Sequence, residues 1–230
     1  MRRLAAIATP QRPLQELVAM RSRGHPLQYL EGTAAFGPLV LGVDDRVLIP
    51  RPETEYLADL LAHRHRQPGL VVDLCTGSGA VALFLKMAWP QSRVVATDFS
   101  GDALAVARQN ADRLGLEVEW YQGDLFAALP TDIRGMVDLL VANPPYVSED
   151  DWDLLPEDVR HEPRSALVAG PRGTEFIDRI LEDVGAWLAP GGEAWIEIGE
   201  TQGLYLSGQH GVQIQPDQYG KDRFAKVTND

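Results

Sequence analysis

Five short apolar runs, each followed by a turn or by a stretch of helical period, limit this chain more than any other feature. They are Val71-Val72-Asp73-Leu74, Val94-Val95-Ala96-Thr97-Asp98, Val118-Glu119-Trp120-Tyr121, Met136-Val137-Asp138-Leu139-Leu140-Val141-Ala142 and Ala194-Trp195-Ile196-Glu197-Ile198. Runs of this length bounded by turn residues read as strands, and residues 71–74 as a short buried one. Between them lie residues 80–88, then a helix beginning at a Ser100 or Asp102 cap with Leu104, Ala107, Ala111 and Leu114 on one face. A later amphipathic helix carries Phe176, Ile177, Ile180, Leu181, Val184, Trp187 and Leu188, and Pro190-Gly191-Gly192 is expected to stop it. Strands separated by helices make a parallel sheet with right-handed crossovers. Weaker strands around residues 212–214 and 224–227 bring the expected count to seven. The predicted class is therefore α/β, a doubly wound, mostly parallel seven-stranded sheet.

Ahead of this alternation, residues 1–31 read as one or two short helices, with Leu14, Leu17 and Val18 sharing a face after Pro10 and Pro13. Residues 33–49 read as extended: Phe36, Val40, Val43 and Val47-Leu48-Ile49 are interrupted by Gly37-Pro38 and Asp44-Asp45. The expected organisation is a short helical N-terminal segment (1–31), a β-hairpin linker (32–52) and the main domain (53–230). The 230 residues suffice for one α/β domain with a sizeable core.

The formal net charge of -12 counts against a sequence-independent grip on nucleic acid, which needs clustered Lys and Arg. Arg2, Arg3, Arg12, Arg21 and Arg23 at the front read as a solvated helix face. Cys75 is the single cysteine, so no intrachain disulfide and no cysteine-based zinc site can form, which fits a reducing cytosol. The stretch Leu4-Ala5-Ala6-Ile7-Ala8 is too short for a signal peptide and stops at Thr9-Pro10. No run approaches the roughly 20 apolar residues that cross a bilayer. A cytoplasmic monomer without membrane contact or bound metal is expected.

In doubly wound sheets, ligands bind beyond the carboxyl ends of strands near the topological switch. The turn Asp73-Leu74-Cys75-Thr76-Gly77-Ser78-Gly79 sits at such an end. Its glycines allow a tight turn and close backbone approach, and the following helix offers free N–H groups to an anion; an ordinary strand-to-helix turn uses the same residues. Asp98 ends the next strand at the spacing of an acid that accepts both ribose hydroxyls, although it could also cap the helix that follows. No third glycine completes a dinucleotide pattern, which favours S-adenosylmethionine (SAM) over NAD. After the third strand, Asp124 suits the adenine amino group with Leu125 packed on the ring, or else a simple Asx-turn.

After the fourth strand comes Asn143-Pro144-Pro145-Tyr146. As a bare turn it is rigid. As a site, the Asn143 side-chain oxygen and the Pro144 carbonyl make two acceptors that suit a planar –NH2 group, with Tyr146 or Pro145 packed on the amide plane. A carboxamide nitrogen is a poor nucleophile, so positioning and preorganised dipoles must supply most of the rate. The same reading expects an open groove lined by Tyr146, Phe36 and residues 50–54. His63 and His65 read as solvated at an Arg-rich helix end, and His161 as structural. No zinc-ligand spacing and no Ser-His-Asp pattern is present.

Taken together, these segments resemble the HemK/PrmC family of protein-(glutamine-N(5)) methyltransferases. The resemblance runs from Pro26-Leu27-Gln28-Tyr29-Leu30-Glu31-Gly32 almost to the end of the chain. It takes in Leu48-Ile49-Pro50-Arg51-Pro52-Glu53-Thr54-Glu55, the segments above, Asp158-Val159-Arg160-His161-Glu162-Pro163 with Ala166-Leu167-Val168, and Tyr219-Gly220-Lys221-Asp222-Arg223. It implies a Rossmann-like SAM-dependent methyltransferase sheet. The implied activity is methyl transfer from SAM, leaving S-adenosylhomocysteine, to the Gln of Gly-Gly-Gln in class I peptide chain release factors. It implies cofactor contacts from Cys75, Thr76, Gly77, Ser78, Gly79, Asp98, Asp124, Leu125 and Asn143. Substrate contacts would come from Asn143, Pro144, Pro145 and Tyr146, with Asn143, Pro144 and Tyr146 catalytic.

Asn-Pro-Pro-Tyr is shared with enzymes that methylate the adenine amine, so the segment 50–55 is what points to release factors. The family has Gly where this chain has Cys75. Its bacterial members carry several helices before the hairpin, and too few residues precede Pro26 here for such a bundle. The alternatives are the same chemistry on a ribosomal protein glutamine or on adenine in RNA or DNA, and a SAM-binding module without catalysis.

Overall fold

Strand β3 (Leu70–Leu74) is buried at every position, the mark of a strand covered by helices on both faces. The computed structural model describes residues 2–209 and 211–229. In it β3 lies within a sheet completed by β4 (Arg93–Asp98), β5 (Glu119–Gln122), β6 (Val137–Ala142), β9 (Leu188–Glu197), β10 (Val212–Pro216) and β11 (Asp222–Thr228). The order is β10-β11-β9-β6-β3-β4-β5. The five strands β3, β4, β5, β6 and β9 run parallel, while β11 pairs antiparallel with both β9 and β10. The chain winds outward from β3 to β5, then returns to the other side of β3 as β6, so the topological switch lies between β3 and β6.

Helices α5 (Ala80–Ala88) and α6 (Gly101–Leu114) sit where helical period placed them, and Ser100 is the α6 cap, accepting from the Ala103 N–H. The Pro-Gly-Gly segment has another role than the expected one. Helix α7 (Glu175–Asp183) ends early, a 3-10 turn spans Val184–Ala186, and Leu188 already pairs with Val137. Glu193 is then opposite Leu139. Pro190, Gly191 and Gly192 therefore bulge from the start of β9 rather than terminate a helix.

Helix α4 (Pro52–Arg64) opens with Pro at its first turn beside Glu53 and Glu55, and closes with His63 and Arg64. That charge order complements the helix dipole. His63 is exposed as expected, whereas His65 is not solvated: its ring is half-buried 3.3 Å from Glu193.

At the front, three helices form instead of one or two: α1 (Arg2–Ile7), α2 (Leu14–Ser22) and α3 (Leu27–Glu31), the last starting at Pro26. Leu4, Leu17 and Leu30 bury one another in a small separate cluster. His161 ties this cluster to the main domain, its Nε2 lying 2.9 Å from the Arg23 carbonyl and its ring tilted against that of His25 with centroids 4.2 Å apart.

The hairpin is β1 (Thr33–Phe36) and β2 (Leu39–Gly42), turning at Gly37-Pro38. It stops at Gly42. Val47-Leu48-Ile49 is an unpaired crossing held by side chains: Tyr29 donates to the Val47 carbonyl at 2.5 Å, and the Ile49 N–H donates to Glu162 at 2.9 Å. Asn110, fully buried on α6, fastens β2 by bonds to the Gly42 N–H and carbonyl and reaches the Ser78 carbonyl. A two-stranded sheet, β7 (Val147–Ser148) with β8 (Val168–Gly170), and a short helix α8 (Gly203–Leu206) complete the structure. Among the described residues, no helix is long and apolar enough to cross a membrane.

Candidate active site

Sheet register brings the sequence motifs together. Leu74 pairs with Ala142 on one side and with Thr97 on the other. The residues that follow, Cys75, Asn143 and Asp98, therefore emerge side by side at the switch. Above them lies a cavity of about 340 Å³. Cys75, Thr76, Gly77, Ser78, Asp98, Asp124, Asn143 and Pro145 line it, and Arg46, Val47, Leu48 and Pro50 of the linker crossing form a further wall.

Four predicted residues do not face this space. Gly79 is turned to the core: a Cβ there would meet Trp120, Leu83 and Ala107 at 3.0–3.2 Å, with φ at +83°. Its missing Cβ serves close packing of α5. Leu125 is buried among the hydrophobic residues on one side of the sheet. Pro144 is buried and does not line the cavity. Tyr146 points inward, its hydroxyl 3.4 Å from Glu197. Phe36, expected along the groove, is instead fully buried against the ring of Phe84 under the hairpin.

The loop after β3 is shaped by two acids. Asp73 is buried and accepts from the Thr76 hydroxyl at 2.5 Å and the Ala82 N–H at 3.1 Å, folding the loop onto the start of α5. Burial pushes its carboxyl up to about 7. Asp98 accepts the Gly77 N–H at 2.8 Å and the Ser100 N–H at 2.9 Å. Burial raises its carboxyl too, and these two N–H groups oppose the rise. Asp98 thus fixes the glycine loop while still lining the cavity.

Cys75 and Gly77 adopt left-handed backbone, with φ of 58° and 56°, and a Cβ on Gly77 would meet nothing within 4 Å. Burial, with Asp98, Asp73 and Asp124 nearby, pushes the Cys75 thiol well up. Asp124 is engaged by Arg179 at 2.7 Å.

Asn143 is held from behind. Its Nδ2 donates to Thr54 Oγ1 at 3.0 Å, and Thr54 Oγ1 donates to Glu197 Oε2 at 2.6 Å. Neither Thr54 nor Glu197 stood out in the apolar pattern. Thr54 sits in the first turn of α4, and Glu197 is a polar interruption near the end of a buried strand, a signal visible only once the strand is known to be covered on both faces. Phe99, 75% exposed at the cavity wall, directly follows Asp98, a position no sequence motif marks. Among the described residues no group of His, Cys, Asp or Glu is placed to hold a metal.

A seven-stranded sheet with its final strand reversed, a glycine loop, an acid ending the second parallel strand and Asn-Pro-Pro-Tyr at the switch together define a SAM-dependent methyltransferase. Residues 52–162 match the methyltransferase small domain family. The release factor glutamine methyltransferase of Mycobacterium leprae is 45% identical over 208 residues, covering 86% of this chain and 72% of that protein. The enzyme of the same name from Chlorobaculum tepidum is 38% identical, covering 97% of this chain and 84% of its own length. The chain belongs to the release factor glutamine methyltransferase family.

The fold is also that of the T. thermophilus 16S rRNA N2 G1207 methyltransferase in complex with AdoMet and guanosine. That likeness has a TM-score of 0.60 at 18% identity, covering 86% of this chain and 50% of the other. The cofactor is SAM, and the cavity fits it: an acid stands beside an exposed aromatic at one side, a left-handed loop leaves open space at Gly77, and Asn143 closes the other side.

Proposed function

We propose that the protein methylates the side-chain amide nitrogen of the glutamine in the Gly-Gly-Gln motif of class I peptide release factors. The observation that carries this reading is the orientation of Asn143. With its NH2 donated to Thr54, its Oδ1 is the atom left for the cavity. An acceptor aimed into the cavity matches an N–H of a carboxamide, and the family relationship supplies the glutamine.

When bound, SAM supplies an electrophilic methyl group. Asn143 Oδ1 accepts an N–H of the substrate amide, and Pro145, which lines the cavity, packs on its plane. This aims the nitrogen lone pair and biases it away from the carbonyl. Asp98 would accept the ribose hydroxyls, the start of α5 would hold the carboxylate, and Asp124 would hold the adenine amino group. No strong base is needed, because the nitrogen loses its surplus proton to water after transfer. Tyr146 acts from beneath through Glu197. The protein works as a cytoplasmic monomer on a protein partner.

Transfer of label from tritiated SAM to purified release factor, run beside adenine-containing RNA and DNA, tests this. Counts in the release factor alone are expected. Counts in nucleic acid would replace this reading with the adenine alternative, and none in any acceptor despite SAM binding would favour a non-catalytic module.

A further inference from the structure

We infer that Thr54 and Glu197 are positioning residues that set which face of the Asn143 amide is presented to the substrate. The inference rests on the reading of Asn143 given above and concerns how its orientation is fixed. A threonine hydroxyl has one proton. Here that proton goes to Glu197 Oε2, at 2.6 Å, so the Thr54 oxygen can only accept from Asn143. The group facing it at 3.0 Å must be the amide NH2. Asn143 Oδ1 is thereby committed to the cavity as an acceptor. With the amide turned over, Asn143 would present NH2 to the NH2 of a carboxamide, and the clamp would repel what it is built to hold.

Burial makes this relay hard to replace by water. Glu197 is 1% exposed and Thr54 5%, and Glu197 does not line the cavity, so it acts only through Thr54. Its second oxygen faces the Tyr146 hydroxyl at 3.4 Å. The charged groups that face it are Arg223 from β11 and Glu53 from α4. Burial pushes the Glu197 carboxyl up to about 7, opposed by the Thr54 hydroxyl and Arg223 and reinforced by Glu53. A protonated Glu197 becomes a donor to Thr54. The threonine proton then turns toward Asn143, which reverses the amide. Turnover should therefore fall as the pH drops through about 7.

The test is steady-state kinetics with release factor as substrate, SAM binding by calorimetry, and a kcat profile across about pH 5.5–8.5. Thr54→Val is expected to lower kcat roughly 10- to 100-fold, the scale of a misplaced reacting group. Its KM for release factor and its SAM affinity should stay within a few-fold of the parent. Thr54→Ser should restore most of kcat. The acid-side fall should be present in the parent and in Thr54→Ser, and absent in Glu197→Gln, which has no proton to gain.

An unchanged kcat in Thr54→Val overturns the inference. So does parallel loss of kcat and SAM affinity, failure of serine to restore turnover, or persistence of the acid-side fall in Glu197→Gln. Asn143→Ala, measured alongside, separates the two levels. Full turnover in Asn143→Ala removes the reading of the site itself, whereas loss there with full turnover in Thr54→Val removes the relay alone.

Discussion

Asp98 combines two tasks, because its carboxylate holds the Gly77 and Ser100 N–H groups and still borders the cavity. Asp98→Ala should therefore weaken SAM binding first, by about 2–3 kcal/mol, the scale of a lost charged hydrogen-bonded group. Calorimetry would show it, and unchanged affinity would remove Asp98 from the cofactor site. Asn143→Ala should do the reverse, lowering turnover by about 100-fold or more with SAM affinity nearly intact. At Cys75, the raised thiol leaves little thiolate, so iodoacetamide at pH 8 should modify the native protein far more slowly than the unfolded one. Equal rates would contradict the burial argument. The sequence placed Asn143, Asp98 and Cys75 at strand ends because the strand pattern decides which residues come next to the switch. It could not tell which way Leu125, Tyr146 and Phe36 point, since inward or outward facing beyond a strand end is decided by packing from distant segments.

Elements show the same division. Strands covered on both faces, such as β3, carry continuous apolar runs, so they could be read directly along the chain, as could α5 and the Ser100 cap of α6. The end of α7 was not legible: Trp187 and Leu188 keep the helical period, but Leu188 gains a strand partner in Val137, a long-range pairing that outweighs local preference. The crossing at Val47-Leu48-Ile49 joins no sheet although its β-branched Val47 and Ile49 suit strands, because Tyr29 and Glu162 satisfy its backbone instead. The two glycines of the cofactor loop give a test. Gly79→Ala forces a Cβ to 3.0 Å from Trp120 and should cost about 1–3 kcal/mol of stability. Gly77→Ala meets open space and carries only the left-handed penalty, about 1 kcal/mol. Thermal melts in which Gly77→Ala is the more damaging of the two would contradict these assignments.

At the scale of the whole molecule, pH acts on the fold through opposing groups. Asp73 and Glu197 rise to about 7 on burial. Their unfolded forms ionise first, so the stability they lend at low pH is lost as pH rises toward 7. His65 works the other way: burial lowers its imidazole, and stability is lost as pH falls below its ordinary value of about 6.5. Glu197→Gln should therefore raise the melting temperature at pH 8 and change it less at pH 5. An equal shift at both would show that ionisation of Glu197 does not matter to the fold. A buried acid that lowers stability at neutral pH while holding Asn143 is what a site built for orientation would carry.

The measurement that tests the central claim most directly is tandem mass spectrometry of release factor after incubation with this protein and methyl-deuterated SAM. One added labelled methyl group is expected on the side-chain nitrogen of the glutamine in Gly-Gly-Gln, and none with Asn143→Ala. A label on any other residue, or an unmodified glutamine from an enzyme shown to bind both SAM and the release factor, would contradict it.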